Sequence, residues 1–237
     1  MSLAPVCILA GGLGSRLGER VRDTPKPLIE VAGRPFLEHQ LALLREHGAH
    51  RIVLCVGYLG ERIEAALGDG AGYGLELRYR YDPPGLAGTA GAVRAALDDL
   101  GERFLVLYGD TYLRIDYRAV QAAAEGEVAL MTVLENSGRW DSSNARFEDG
   151  RVFYDKRDPT PDMRWIDYGL SVLTPEALAG EEADLADVLH RLSVEGRLAG
   201  FAATERFYEI GTAQGLVETD AFLSERASSA AARSSRP

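Results

Sequence analysis

The stretch Val6-Cys7-Ile8-Leu9-Ala10-Gly11-Gly12-Leu13-Gly14-Ser15-Arg16-Leu17 decides the fold. Its first part, from Pro5 to Ala10, is a short apolar run that stops at glycines. A strand apolar at every position is covered on both faces, as strands of parallel sheets are. Glycines after such a strand suit a tight turn. They let the backbone take positive φ and bring N–H groups close to an anion. Arg16 adds a forked cation that matches phosphate oxygens.

Outward from this turn the chain alternates strand and helix. Phe36 to His47 has helical periodicity, with Leu37, Leu41 and Leu44 on one face and Gly48 where a helix would stop. Arg51 to Gly57 reads as a second buried strand, Leu59 to Leu67 as a short helix, and Leu75 to Tyr81 as an alternating strand. Gly88 to Leu100 reads as a helix and Arg103 to Tyr108 as a buried strand that ends in Gly109-Asp110. This order predicts an α/β protein with an open, mostly parallel, doubly wound (Rossmann-like) sheet. Ligands of such sheets sit beyond the carboxyl ends of the strands, where Gly11 to Arg16 and Asp110 both fall.

The second half is more mixed. It predicts strands over 127–134 and 166–173, a hairpin over 144–156 turning at Asp149-Gly150, and helices over 184–196 and 212–223. No linker rich in Pro, Gly or Ser splits the chain. We therefore expect one domain over 1–226, with a first lobe over about 1–112 and a second, mixed lobe over about 113–226. Residues 227–237 are mostly Ala, Ser and Arg and read as a disordered tail.

The 237-residue chain is 46% apolar and carries a net charge of −10. That content supports a sizeable core, while the acidic balance disfavours a nucleic-acid partner. Cys7 and Cys55 lie inside apolar runs and read as reduced core thiols, which suits the cytoplasm. No stretch is apolar enough to span a bilayer, and no basic segment precedes the first apolar run. The four histidines show no metal-ligand spacing.

Two familiar phosphate motifs do not fit the glycine-rich turn. It lacks the Lys-Ser or Lys-Thr of a Walker A loop. Leu17 stands where a dinucleotide fingerprint needs its third glycine, and the second strand ends in Val56-Gly57 with no acid for a ribose. What the turn does have is Arg16 and, ten residues beyond it, Lys26 held between Pro25 and Pro27. A lysine on so stiff a segment loses less entropy when it grips a ligand.

The whole string from Leu9 to Leu41, LAGGLGSRLGERVRDTPKPLIEVAGRPFLEHQL, resembles the sugar 1-phosphate nucleotidyltransferases, with the heptose and mannose 1-phosphate guanylyltransferases nearest in pattern. Related patterns run from residue 6 to about residue 223. The resemblance implies transfer of a nucleoside monophosphate from a triphosphate to a sugar 1-phosphate, with Mg²⁺ and release of pyrophosphate. It also implies that the second lobe binds the sugar. Carried over, Leu9 and Ala10 bind the nucleotide, Gly11, Gly12, Gly14 and Ser15 cradle its triphosphate, and Arg16 and Lys26 neutralise it. Gly88-Thr89-Ala90-Gly91 resembles the turn that reads the base. It lacks the Gln of many thymidylyl and uridylyl members, which favours GTP, although some uridylyltransferases for amino sugar acids share it. A plain helix N-cap is the other reading of Thr89.

Asp110, at a strand end, is implied as a Mg²⁺ ligand. Glu209, in Tyr208-Glu209-Ile210-Gly211, stands where many members carry the second metal-binding Asp. Tyr154-Asp155-Lys156 resembles the segment that holds the sugar hydroxyls and phosphate, with Arg157 where the family often has Pro. Asp167 and Gly169 match a sugar-contacting strand, and Trp140, Asp141 and Asn144 precede the hairpin. Arg16, Lys26, Asp110 and Lys156 are thus the implied catalytic set. Two other readings stay open. One is cytidylyl or uridylyl transfer to phosphocholine, a phosphonate or an amino sugar acid phosphate. The other is an inactive, nucleotide-sugar-binding regulatory subunit.

Overall fold

The computed structural model describes residues 2–12, 23–82, 88–140 and 142–234. The expectations for Gly14, Ser15, Arg16 and Asp141 lie outside these residues. The first half contributes β1 (Val6–Leu9), β2 (Glu30–Val31), β3 (Arg34–Pro35), α1 (Phe36–Glu46), β4 (Arg51–Val56), α2 (Gly60–Leu67), β5 (Glu76–Tyr81), α3 (Gly88–Ala95), α4 (Leu97–Leu100), β6 (Phe104–Tyr108) and β7 (Thr111–Tyr112). Then follow α5 (Tyr117–Ala123), β8 (Ala129–Glu135), β9 (Ala145–Glu148), β10 (Arg151–Tyr154), β11 (Trp165–Leu173), α6 (Leu185–Val194), β12 (Leu198–Ala203), β13 (Tyr208–Glu209) and α7 (Ala213–Ser234).

Among the described residues, nine strands form one sheet in the order β5-β4-β1-β6-β11-β8-β12-β10-β9. The four strands that the first half gives to this sheet, β5, β4, β1 and β6, are all parallel. β11 then enters antiparallel between β6 and β8, β12 runs parallel to β8, and β9 and β10 form the hairpin at the edge. The sheet is therefore mixed, with a parallel half and a half that changes direction. Asp149 and Gly150 both take positive φ at the hairpin tip, as a two-residue turn that follows the strand twist requires.

Side chains alternate along the central strands. Val6, Ile8, Ile52 and Leu54 pack on one face with α1, α2, α5 and α7. Cys7, Val53, Cys55 and Val106 pack on the other with α3, α4 and α6. Burying both faces explains why these strands read as unbroken apolar runs.

The structure also differs from the pattern reading. The helix expected over 88–100 is broken at Ala96 into α3 and α4. The helix expected over 212–223 runs on to Ser234, into the stretch read as a disordered tail. Alanine's high helix propensity accounts for that extension. Strands from both sides of residue 112 share the nine-stranded sheet. α7 returns to the first half, where Asp220 accepts a hydrogen bond from the Ala32 N–H at 2.8 Å.

Candidate active site

The carboxyl ends of β1, β4, β5 and β6 open onto a cavity of about 500 Å³, lined by Leu9, Ala10, Gly11, Gly12, Lys26, Asp82, Gly88, Thr89 and Asp110 among others. Gly11 is required where it stands. A Cβ there would come within 2.8 Å of an Asp82 carboxylate oxygen and 3.1 Å of the Gly57 nitrogen. Gly109 is equally confined, with the Leu9 carbonyl 2.9 Å from where its Cβ would lie. The glycines thus let three strand ends approach one another and leave backbone facing the cavity.

Lys26 opens a short 3₁₀ turn over Lys26–Leu28, with Pro25 as its N-cap and Pro27 buried beneath it. Its ammonium donates to Asp110 Oδ2 at 2.5 Å. Asp110 also accepts from the Thr111 hydroxyl at 3.0 Å and lines a second cavity as well as the first.

That second cavity, of about 680 Å³, is lined by Trp140, Asn144, Lys156, Asp167, Arg206 and Glu209 among others. The sheet topology brings these residues to Asp110. β11 pairs with β6 from Leu170↔Leu107 to Leu173↔Phe104, so its first residues run past the carboxyl end of β6. β13 pairs with β7 with Glu209 opposite Thr111, and the Ile210 N–H donates to the Asp110 carbonyl at 2.9 Å. Glu209 itself accepts from the Gly211 N–H and, at 2.8 Å, from the Thr212 hydroxyl.

Asn144 ties the end of β10 to β11. Its N–H donates to the Trp165 carbonyl, its carbonyl accepts from Asp155, and its side-chain oxygen accepts from the Asp167 N–H at 2.9 Å. The register of β11 shifts between Asp167 and Ser171. Gly169, with φ of 97°, sits in that bulge, and its N–H donates to Asp167 Oδ1 at 2.9 Å. Burial raises the Asp167 pKa to about 6, against the opposing effects of that N–H and of Lys156.

Most of the expected residues converge. Leu9, Ala10, Gly11, Gly12, Lys26, Gly88, Thr89 and Asp110 line the first cavity. Asp110, Asn144, Lys156, Asp167 and Glu209 line the second. Three do not line either. Ala90 is buried, with its N–H on the Ala183 carbonyl at 2.8 Å. Gly169 acts through the bulge. Asp155 turns back on its own chain and accepts from the N–H groups of Arg157 and Asp158, both at 2.9 Å, which holds its carboxyl below the usual range.

Thr89 has a second tie. Its hydroxyl accepts the Leu185 N–H at 2.7 Å, capping the start of α6. Asp184, the N-cap residue of α6, makes no side-chain cap of its own. Gly88, with φ of 64°, packs against the Ala183 carbonyl so closely that a Cβ would collide with it.

Pattern reading missed Asp82, Tyr108 and Asp184 in the first cavity and Arg206 and Glu218 in the second. Asp82 had a signal. It follows β5 directly, so the strand-end rule that selected Asp110 selects it too. Burial raises its pKa.

Residues 6–210 match the model of the MobA-like NTP transferase domain. The chain belongs to that family. It is 34% identical over 225 residues to the N-acetylmuramate α-1-phosphate uridylyltransferase of Neisseria meningitidis, covering 90% of this chain and 96% of the relative. It is 28% identical over 150 residues to the D-glycero-α-D-manno-heptose 1-phosphate guanylyltransferase of Campylobacter jejuni, covering 63% and 67% of the two chains. The solved structure of HddC from Yersinia pseudotuberculosis, complexed with GMP-PN, superposes with a TM-score of 0.76 at 22% identity, over 93% of this chain and all (100%) of that one. At that identity the likeness is one of fold. No described helix is long and apolar enough to cross a membrane.

Proposed function

We propose that this NTP transferase moves a nucleoside monophosphate onto the phosphate of a sugar 1-phosphate and releases pyrophosphate. The observation that carries the reading is the pair of cavities that meet at Asp110, one framed by strand-end glycines and Lys26, the other by Lys156 and Asp167. In this reading the nucleotide occupies the parallel, doubly wound half of the sheet and the sugar the mixed half. A cytoplasmic setting goes with a nucleoside triphosphate substrate.

Lys26 neutralises the triphosphate, and Lys156 holds the sugar phosphate. The attacking oxygen is already anionic near neutral pH, so no general base is needed. The work of the site is alignment and stabilisation of charge that builds at the α-phosphorus and the leaving pyrophosphate. Alignment of this kind is worth up to roughly 7–11 kcal/mol of barrier.

Asp110 and Glu209 would hold Mg²⁺. Both are hard oxygen donors on the adjoining β7 and β13 ends. Among the described residues no group of three His, Cys, Asp or Glu gathers. A two-carboxylate site suits Mg²⁺, which keeps its other positions for phosphate and water. When bound, the ion supplies positive charge against the phosphates. Glu209 in place of Asp keeps the donor type.

Asp82 lies against Gly11 and Gly57 at the strand ends and lines the first cavity. The relative that spans almost the whole chain uses uridylyl transfer to N-acetylmuramate 1-phosphate, which puts that pair first. GTP with heptose or mannose 1-phosphate is the second reading, favoured by the Gly88-Thr89-Ala90-Gly91 turn.

The test is pyrophosphate release with Mg²⁺, crossing UTP, GTP, CTP, dTTP and ATP with sugar 1-phosphates, phosphocholine and a phosphonate. We expect release only when UTP or GTP and one sugar 1-phosphate are present together. Release with phosphocholine or the phosphonate alone would move the chain to the non-sugar acceptors. Silence in every pair would leave a regulatory role.

A further inference from the structure

The chain has two tryptophans, and the structure uses them differently. Trp165 lies on β11 and packs edge-on against Phe147, with ring centroids 5.3 Å apart. Trp140 is 39% exposed and lines the second cavity with Lys156, Asp167 and Asn144. An indole has a flat apolar face and a polar N–H edge, which suits a ligand with both kinds of surface.

Its loop is held for the purpose. Asn136, fully buried, accepts the Trp140 N–H on its side-chain oxygen at 3.1 Å and donates to the Ser143 hydroxyl at 3.0 Å. The Asn136 and Ser137 N–H groups both donate to the Arg164 carbonyl at 2.9 Å, which joins the loop to the start of β11. The Arg206 guanidinium lies 5.9 Å from the Trp140 ring centroid and 4.6 Å from that of Tyr208, and is itself anchored by Glu218 at 2.7 Å. The Arg206 guanidinium thus lies beside the indole, and both line a cavity whose other walls can hold hydroxyls and a phosphate.

We infer that Trp140 is the stacking platform for the sugar ring and sets the acceptor class as a pyranose 1-phosphate, with Asn136 as its positioning residue. A pyranose has one face of C–H groups and a rim of hydroxyls. The C–H face covers the indole, while Asp167 and Asn144 meet the rim and Lys156 the phosphate. The inference rests on the sugar 1-phosphate reading above and adds a residue that selects the acceptor.

The experiment uses the full chain and the nucleotide and sugar pair that gives the highest kcat/KM in the release panel. Trp140→Ala should raise KM for the sugar 1-phosphate about tenfold, the upper end of one aromatic contact. KM for the nucleotide should stay within about twofold, and Trp140→Phe should recover most of the loss. In a Trp165→Phe background, the corresponding nucleoside diphosphate sugar should quench or shift the remaining indole emission, and the nucleoside diphosphate alone should not. Asn136→Ala should weaken sugar binding in the same direction without moving nucleotide KM. An unchanged sugar KM in Trp140→Ala, or equal loss for both substrates, would overturn the platform and leave the reaction standing. Absence of release from every pair in the unaltered enzyme would overturn the reaction and the platform together.

Discussion

Asp167 is a carboxyl that burial drives up to about 6 even though an N–H and a lysine oppose the shift. In the unfolded chain the same group ionises near 3.9. Between those values the folded state holds a proton that the unfolded state has lost, so stability falls as pH rises from about 4 to about 6. We expect on the order of 2 kcal/mol to be lost across that window. Asp167→Asn should flatten this part of a denaturant-derived stability profile, and an unchanged slope would remove Asp167 as its source. If Asp167 meets a sugar hydroxyl, as the proposed function has it, the ionised carboxylate above pH 6 is the better acceptor, and function and stability would pull this residue in opposite directions. Asp167 was legible in the sequence as a candidate, but its burial was not. That burial comes from the β11 bulge at Gly169 and from residues more than twenty positions away, such as Asn144.

At the scale of elements, Gly88-Thr89 joins α3 to α6. The sequence reading held two roles for Thr89, base recognition and a cap for its own helix. The structure has its hydroxyl on the Leu185 N–H at 2.7 Å, a cap for a different helix nearly a hundred residues on. Thr89→Val should cost about 1 kcal/mol, the usual worth of an N-cap. Thermal unfolding would register that as a drop of about 2–4 °C, with nucleotide KM within about twofold of the parent. A large rise in KM at constant Tm would return the hydroxyl to the nucleotide. No window of local sequence reports a cap donated across such a distance. The short β2, β3, β7 and β13 ribbons escaped pattern reading for the same reason, since two residues carry no periodicity. β12, Leu198 to Ala203, escaped it because Gly and Ala have little strand preference.

For the whole molecule, the two cavities are coupled through Asp110, which accepts from Lys26 on one side and lies with Glu209 on the other. Ligand binding to the folded state alone should therefore stabilise the entire sheet. At a nucleotide concentration near one hundred times Kd we expect about 2.7 kcal/mol, or a rise in Tm of roughly 5–10 °C for a domain of this size. With Mg²⁺ present that shift should be full, and with EDTA it should be largely lost. A nucleotide shift indifferent to EDTA would remove Asp110 and Glu209 as a metal site.

By itself the sequence determined an α/β protein, because strands buried on both faces leave unbroken apolar runs and glycines mark their ends; the mostly parallel sheet it also predicted is mixed, since β11 enters antiparallel. It also carried Gly11, Gly12, Lys26, Asp110, Lys156, Asp167 and Glu209 as candidates, because the string from Leu9 to Leu41 resembles the sugar 1-phosphate nucleotidyltransferases and that resemblance implies the rest. Only the tertiary structure decided that β11 runs antiparallel past the end of β6, that Asp82 shares the first cavity, and that Asp155 turns away from the second. Those outcomes depend on strand order, on register and on competition for backbone N–H groups, and each is settled by contacts between segments far apart in the chain.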